Sequence, residues 1–230
     1  MRRFSLALLM VMLFAGSLSA QRRPRVYTTS DPSVWVTAAI DGFRANVVND
    51  GATSSTWNFG NSTNLQYRAS LEKGMRSGSS FGLAGSWGHV PFEYSSTGII
   101  TPPGGGTQCS LCDAHLDLMT LVATFHSGAG VGLHQIFELN GGVVAYQNLK
   151  RDSDGAKLAP DGGNIDPLFS VGWGFGYGLS DRSSIDFTSN YTIGLHERKG
   201  LSNGASNTNS MPSLRLSWRT GFGNRTIRGR

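Results

Sequence analysis

Apolar and polar residues alternate with a period of two along most of the chain, a pattern that predicts β-strands. The stretch FSVGWGFGYGLS, residues 169–180, shows it most clearly. Aromatic and aliphatic residues fill one set of alternate positions there, and glycine and serine fill the other. Eight segments with this pattern are predicted strands, at about residues 34–46, 57–72, 80–92, 114–126, 135–149, 169–180, 184–196 and 213–223.

The connections between the predicted strands alternate in length. The first, third, fifth and seventh are long and rich in Gly, Ser, Asn, Asp and Pro, and they cover about residues 47–56, 93–113, 150–166 and 197–212. The second, fourth and sixth are shorter, at about 73–79, 127–134 and 181–183. Since successive turns of an up-and-down antiparallel sheet lie at opposite ends, we predict one end with short turns and one with long loops.

The strands favour a membrane barrel over a soluble sandwich, although both architectures show alternation. The predicted strands are about 10–14 residues long, whereas soluble strands average about 5–6. The polar face of residues 169–180 is Ser and Gly rather than charged, as expected where small residues fill a crowded barrel interior. The ten steps from Phe169 to Leu179 cover about 25 Å when tilted, which is about the height of the apolar band of an outer-membrane barrel.

Aromatic residues near the ends of the apolar faces match the interfacial girdles of such barrels. They are Trp57, Phe59, Tyr67, Phe81, Phe169, Tyr177 and Phe222. Closing the sheet removes edges with unpaired backbone groups, which hydrocarbon does not tolerate. The predicted fold is therefore all-β: a single eight-stranded antiparallel up-and-down transmembrane β-barrel with short periplasmic turns and long external loops.

The N-terminus predicts export. Arg2 and Arg3 precede an apolar run and then small residues up to Ala20, which is the pattern of a secretory signal peptide. We therefore divide the chain into a signal peptide (1–20), an N-terminal periplasmic tail (21–33), the barrel in the bacterial outer membrane (34–223) and a C-terminal tail (224–230). The formal charge of +5 is spread along the chain without a long basic run, which argues against nucleic acid as a partner.

With these eight strands and the final segment SLRLSWRTGF, the chain resembles the small bacterial outer-membrane β-barrel proteins typified by the OmpA transmembrane domain, OmpX and OmpW. The resemblance covers about residues 34–223. In that family the barrel-assembly machinery recognises a final strand that ends in an aromatic residue, and Phe222 resembles that residue. The tail that follows, 223–230, departs from the family pattern. We expect a monomer surrounded by outer-membrane lipids and lipopolysaccharide, with the assembly machinery as a partner during biogenesis.

The alternation also assigns side chains to the two faces of the barrel wall. We predict a lipid face that includes Phe169, Val171, Trp173, Phe175, Tyr177, Leu179, Trp218 and Phe222. We predict a lumen ion-pair network made of Asp41, Arg68, Glu72, Asp117, Glu138, Asp186, Arg215 and Arg219. Buried charges must be paired or hydrated, and strand direction predicts two pairs, Asp186 with Arg219 and Asp41 with Arg215. A gated pore or proton path is the alternative use of this network, but a porin-like open channel is disfavoured because side chains just fill an eight-stranded interior.

Cys109 and Cys112, in the motif CSLC, are the two cysteines of the chain. In an exported protein this spacing predicts a small local disulfide. A redox pair would need a helix start in a βαβ unit, and a zinc site would need two further ligands, for which His115 and Asp117 are near. We predict no metal and no cofactor.

His115, Asp117, His196 and Glu197 are expected near the outer rim, where some outer-membrane barrels modify lipid A. No motif places a serine nucleophile beside either histidine. We therefore predict a non-enzymatic protein with a structural or surface-interaction role in the cell envelope, whose loops could bind an external ligand. Two alternatives stay open: passage or binding of a small molecule, including a hydrophobic one, and a lipid A-modifying enzyme at the outer rim.

Overall fold

The computed structural model describes residues 32–60, 63–75, 78–97, 105–203 and 205–224. The predicted signal peptide, most of the N-terminal tail and most of the C-terminal tail lie outside these ranges. The described residues form ten strands: β1 (Val34–Phe43), β2 (Val48–Asp50), β3 (Ser55–Asn58), β4 (Asn64–Gly74), β5 (Ser79–Ser96), β6 (Cys112–Ser127), β7 (Gly132–Arg151), β8 (Asn164–Ser180), β9 (Ser183–Leu195) and β10 (Thr208–Phe222). Among these residues, no helix is long and apolar enough to cross a membrane.

Eight of the ten strands close into an antiparallel barrel. Each neighbouring pair from β4 to β10 is hydrogen-bonded in chain order, and β1 closes the ring by pairing with both β4 and β10. Val34, at the start of β1, lies opposite Lys73 on one side and Phe222 on the other. The predicted eight-stranded up-and-down barrel is confirmed.

The two remaining strands form a hairpin within the first long connection. β2 pairs with β3, and β3 then pairs with the outer end of β5, where Trp57 lies opposite Tyr94. The prediction had placed residue 57 at the start of the second barrel strand. Instead, the second barrel strand begins at Asn64, and the hairpin rises from the barrel wall at the long-loop end.

Glycines on the inner face of β8 allow close packing inside the wall. A β-carbon at Gly172 would lie 2.2 Å from Asn190 Oδ1, and one at Gly174 would lie 2.0 Å from the carbonyl oxygen of Phe187. Real β-carbons do not approach other atoms so closely, so any larger residue would push β8 away from β9 or displace a lumen side chain. The alternation of rings and glycines in residues 169–180 is therefore required by the curvature and filling of the barrel.

The inside of the barrel has two layers. Towards the short-turn end the lumen contains charged and hydroxyl side chains, whereas towards the long-loop end it contains a cluster of buried apolar side chains. The largest members of this apolar cluster are Trp57, Phe59, Phe92, Tyr94, Leu116, Tyr146 and Leu158. The sequence predicts charged and small residues throughout the lumen, and the apolar outer layer corrects that prediction.

The apolar outer layer of the lumen corrects two of the predictions. Trp57 and Phe59, predicted for the lipid-facing girdle, are only 0% and 2% exposed and lie inside the cluster. Asp117, predicted for the lumen network, points outward, because its neighbours Leu116 and Leu118 point inward and are buried. Above the membrane band the outer wall meets water and the inner wall meets the apolar cluster, so polarity no longer indicates which face is inside.

Candidate functional site

A belt of large apolar side chains surrounds the barrel. The eight side chains predicted for the lipid face are between 38% and 57% exposed, on the outside of β8 and β10. Further members of the belt come from the other six strands, including Ile40, Leu71, Leu83, Leu121, Leu139 and Phe187. Soluble monomers rarely expose a continuous apolar patch of this extent, whereas a barrel in a bilayer requires one. The chain is therefore a membrane-spanning β-barrel of the bacterial outer-membrane type.

Arg215 is the centre of the lumen network. Its Nε donates to Asp41 Oδ1 at 2.8 Å, and its Nη1 donates to Glu138 Oε2 at 2.5 Å. Asp41 is the register partner of Arg215 on β1, whereas Glu138 lies across the lumen on β7. His126 adds a contact of 3.2 Å from its Nδ1 to Glu138 Oε1. These bonds connect different walls of the barrel and pair Arg215 with two carboxylates in a water-poor interior.

The structure pairs Arg219 differently from the sequence prediction. Its Nη2 donates to Glu72 Oε2 at 2.9 Å and to Ser80, and its guanidinium stacks over the ring of Trp35 at 4.2 Å. The predicted partner, Asp186, forms no ion pair within the described residues, and no donor reaches its Oδ1. Strand direction gives the height of each residue but not the tilt of the strands, and the tilt brings Glu72 closer to Arg219.

Asp186 instead lies next to His134. Asp186 Oδ1 and His134 Nε2 are each 2.5 Å from the position that a β-carbon would occupy at Gly176. Glycine at position 176 therefore leaves the space that these two side chains occupy. The other ring nitrogen of His134, Nδ1, lies 3.1 Å from the carbonyl oxygen of Gly132, which fixes the ring.

The described residues of the four long connections pack together into a cap over the outer mouth. We call these connections L1 (44–63), L2 (97–111), L3 (152–163) and L4 (196–207), of which 61–62, 98–104 and 204 lie outside the described residues. Gln108 of L2 donates to the carbonyl oxygen of Thr53 in L1 at 2.8 Å. Thr107 of L2 exchanges backbone bonds of 2.8 and 3.1 Å with Lys157 and Ala159 of L3. L4 touches L1 so closely that a β-carbon at Gly200 would lie 2.2 Å from the Gly51 carbonyl oxygen.

His196 anchors the cap to the barrel. Its Nδ1 lies 2.7 Å from Asp166 Oδ2 on β8, and its Nε2 lies 3.8 Å from Asp50 Oδ1 in L1. Burial by itself would lower the pKa of His196, but the hydrogen bonds and charges of the two carboxylates outweigh it and raise the pKa to about 9. The side chain of Trp57 packs edge-on against the imidazole, with ring centroids 5.3 Å apart. Asp50 also accepts from Thr53 Oγ1 at 2.6 Å.

Both histidines expected at the rim lie against carboxylates. Both ring nitrogens of His196 face carboxylates, so neither is available to take a proton from a nucleophile. His115 lies on the outer wall with its Nδ1 2.6 Å from Asp152 Oδ1, and Asp117 accepts from His89 and Asn148. In the described part of the chain, no group of three or more His, Cys, Asp or Glu side chains could hold a metal ion.

Cys109 and Cys112 are joined as a disulfide at the end of L2. Both cysteines pack against the apolar cluster, and the backbone of Ser96 donates to the Cys109 carbonyl oxygen at 3.0 Å. The intervening Leu111 is 63% exposed, so this short ring presents an apolar side chain on the outer surface of the cap.

Sequence reasoning missed the Asp50–His196–Asp166 cluster altogether. The three residues come from L1, L4 and β8, and no spacing in the sequence connects them. The sequence contained one weaker indication. Asp50, His196 and Asp166 each lie near a predicted strand end on the long-loop side, and a carboxylate or histidine buried there needs a partner.

No protein-family model matches the chain, and no curated protein matches it. Solved structures are similar to it in fold. Neisserial surface protein A (NspA) is 11% identical, covering 83% of this chain and 97% of that one, with a TM-score of 0.47. The attachment invasion locus protein Ail of Yersinia pestis is 10% identical over 82% and 99%, with a TM-score of 0.41. The outer membrane protein OprG of Pseudomonas aeruginosa is 11% identical over 84% and 98%, with a TM-score of 0.42. The membrane assignment above rests on the chain's own apolar belt.

Proposed function

We propose that the protein is a closed, non-enzymatic barrel that contributes to envelope integrity or binds partners at the cell surface through its cap. The observation that carries this proposal is that side chains and loops leave only small cavities in the described interior. Ion pairs cross the inner lumen, and the apolar cluster and the four loops fill the outer lumen. A cavity between these layers has a volume of about 40 Å³, which admits a few waters but not a nutrient-sized solute.

Closure argues against the transport alternative. Above the charged groups of the inner lumen lie buried apolar side chains such as Leu116 and Val144, neither of them exposed, and the buried charges among them, Asp50, Asp166 and His196, are held by one another. An ion or proton crossing the barrel would have to disrupt these pairs or enter the apolar cluster, and both are costly. The apolar layer is also fully packed, with Trp57 and Tyr146 in edge contact at 5.5 Å, so a hydrophobic ligand has no preformed space there.

Conductance measurements test the closure. Purified barrel reconstituted in planar bilayers should show no steady conductance above the empty membrane. As a matched control, a variant with Trp57 and Leu158 both changed to glycine removes two fully buried side chains from the outer layer, and it should conduct more than wild type. Large, steady conductance from the wild-type monomer would contradict the proposal.

Complementation can separate the two proposed roles. In cells that lack the gene, resistance to detergent is compared between the wild-type protein and a variant in which a short turn replaces 97–111 and serine replaces Cys112, the disulfide partner of Cys109. If the role is structural, both should restore resistance, because the barrel wall remains intact. If the role is interaction at the surface, only the wild type should restore attachment or partner-dependent phenotypes. Failure of both proteins to change either phenotype would contradict the proposal.

A further inference from the structure

Two histidines lie side by side on the outer wall of the barrel, above the apolar belt. His89 on β5 and His115 on β6 are diagonal neighbours in the register, because His89 pairs with Asp117 and Pro91 pairs with His115. Their ring centroids are 4.7 Å apart, and the ring planes are inclined by 42°. The two side chains are 55% and 28% exposed, so an ion in the surrounding water can reach both rings.

A carboxylate holds each ring at its Nδ1 atom. His89 Nδ1 lies 3.1 Å from Asp117 Oδ1, and His115 Nδ1 lies 2.6 Å from Asp152 Oδ1. Asp117 is itself fixed by Asn148, whose Nδ2 donates to Asp117 Oδ2 at 2.7 Å. A neutral imidazole that donates from Nδ1 has its lone pair on Nε2, and no described residue forms a hydrogen bond with Nε2 of either ring. Histidines that bind metal ions are usually oriented in this way, by a carboxylate behind the other ring nitrogen.

The two carboxylates lie on opposite sides of the histidine pair. Asp117 is closer to the membrane than His115, whereas Asp152 follows the outer end of β7, and its backbone donates to the carbonyl oxygen of Asp113 at 3.0 Å. The Nδ1 atoms are therefore held at opposite ends of the pair, which leaves the Nε2 atoms to share one ion. Two nitrogens that each bind zinc at about 2.1 Å are at most about 4.2 Å apart. Rings with centroids 4.7 Å apart can meet this limit, because the Nε2 atoms can lie closer together than the centroids.

The surroundings of the pair are acidic. Glu93 and Asp113 lie directly opposite each other, farther out on the same face of β5 and β6, and both are exposed. Like charges in opposed positions of an antiparallel pair are destabilising. Together with the two carboxylates behind the rings, they outnumber Lys150, which is the register partner of His115 on β7. A cation bound between the rings reduces this repulsion.

We propose that His89 and His115 bind one divalent transition-metal ion of the kind that prefers imidazole nitrogen, such as zinc or copper. Nε2 of each ring is a ligand. Within the described residues, no third His, Cys, Asp or Glu side chain completes a larger metal-binding group, so water fills the other positions and the site stays open to exchange. Since Asp152 belongs to L3, the bound ion also ties the base of this loop to the barrel wall.

The sequence predicts no metal, because His89 and His115 lie on opposite sides of L2 along the chain and only the β5–β6 register brings them together. The proposed site does not depend on the role of the barrel in the envelope.

Electron paramagnetic resonance with Cu²⁺ tests the ligands. Purified protein without a histidine tag, in detergent and with one equivalent of Cu²⁺, should give a spectrum with nitrogen coupling from two imidazoles. The double variant with His89→Gln and His115→Gln should lose this coupling. A wild-type spectrum with oxygen ligands alone would mean that exposed carboxylates hold the ion, and it would overturn the proposal. Two-nitrogen coupling that persists in the double variant would also overturn it.

Zinc titration calorimetry tests the carboxylate behind His115. The wild type should bind one Zn²⁺, and Asp152→Asn should weaken binding by about 10- to 100-fold, the usual effect of losing such a partner. Asp154→Asn is the matched control, since it makes the same change in L3 at a residue that pairs with Arg151. That variant should keep the wild-type affinity. Faster migration of unboiled samples on gels checks that each variant is folded. Absence of zinc binding by the wild type, or equal affinities of the two variants, would contradict the proposal.

Discussion

Arg219 on the last barrel strand donates to Glu72 on β4 at 2.9 Å, across the inner face of β1. The two residues are 147 positions apart, and β1 pairs with both of their strands. The bond therefore bridges the seam where the first and last strands close the barrel. With the Asp41–Arg215 pair, it connects β10 to both of the strands that complete the ring.

We expect Arg219→Gln to destabilise the barrel by about 3–5 kcal/mol, because it leaves Glu72 buried without its cation. Urea unfolding in detergent micelles measures the loss. The control is Arg151→Gln, which breaks the Arg151–Asp154 pair at the surface, where solvent screens the charges. That variant should unfold close to the wild-type midpoint. If both variants lost the same stability, the seam pair would have no special role.

A charge on the lipid face should be costly at the middle of the belt. Trp173 is 45% exposed on the outside of β8, and Trp173→Arg should cost about 2–4 kcal/mol if it lies near the bilayer midplane. Leu133→Arg, at the short-turn end of β7 where the side chain is 76% exposed, should cost about 0–1 kcal/mol. Reversible unfolding from lipid vesicles compares the two. A neutral Trp173→Arg would mean that this face does not meet hydrocarbon.

Two glycines test the packing of the inner face. A β-carbon at Gly174 would lie 2.0 Å from the Phe187 carbonyl oxygen and 2.7 Å from Thr188 Cα, so Gly174→Ala should cost about 1–3 kcal/mol by forcing β8 and β9 apart. At Gly141, on the outside of β7, a β-carbon would meet nothing within 4 Å. Gly141→Ala should therefore be neutral or slightly stabilising. The two unfolding midpoints should differ clearly, and coincident midpoints would contradict the close approach.

The cap should depend on pH through His196. Its pKa is raised to about 9 in the folded protein, above its unfolded value of about 6.5. Its contribution to stability is therefore complete below pH 6.5 and is lost as the pH rises through about 9. The pKa of Asp50 is lowered despite burial, because His196 and Thr53 donate to it, so its contribution is lost as the pH falls below its ordinary value of 3.8.

Unfolding midpoints measured from pH 5 to pH 10 check this expectation. The wild type should lose stability above pH 7, and His196→Gln should be less stable at pH 6 and lack the alkaline loss. His115→Gln is the control, because that histidine pairs with Asp152 at the exposed rim. It should retain the wild-type pH profile. An NMR titration that placed the His196 pKa below 6.5 would contradict the prediction.

The number of barrel strands, their order and the apolar belt were predictable from local pattern, whereas the β2–β3 hairpin was not. In residues 169–180, for example, large apolar and small residues alternate within a single strand. The two faces of that strand can therefore be recognised without knowing any distant contact. Arg215 and Asp41 could be placed at one height because their strands are adjacent in the closed ring. The sequence could not assign Trp57 and Asp117 to the correct face of the wall. Apolar and polar residues also alternate above the membrane, but there the apolar residues point inward.

The sequence by itself determined a closed barrel with lipid outside, because hydrogen bonding and burial in hydrocarbon leave few other structures for such strands. The tertiary structure alone decided which charges meet and how the outer mouth closes. Glu72 reaches Arg219, and Asp50 reaches His196, through strand tilt and loop packing that bring distant residues together. These contacts depend on the geometry of the whole ring, which no local stretch of residues encodes.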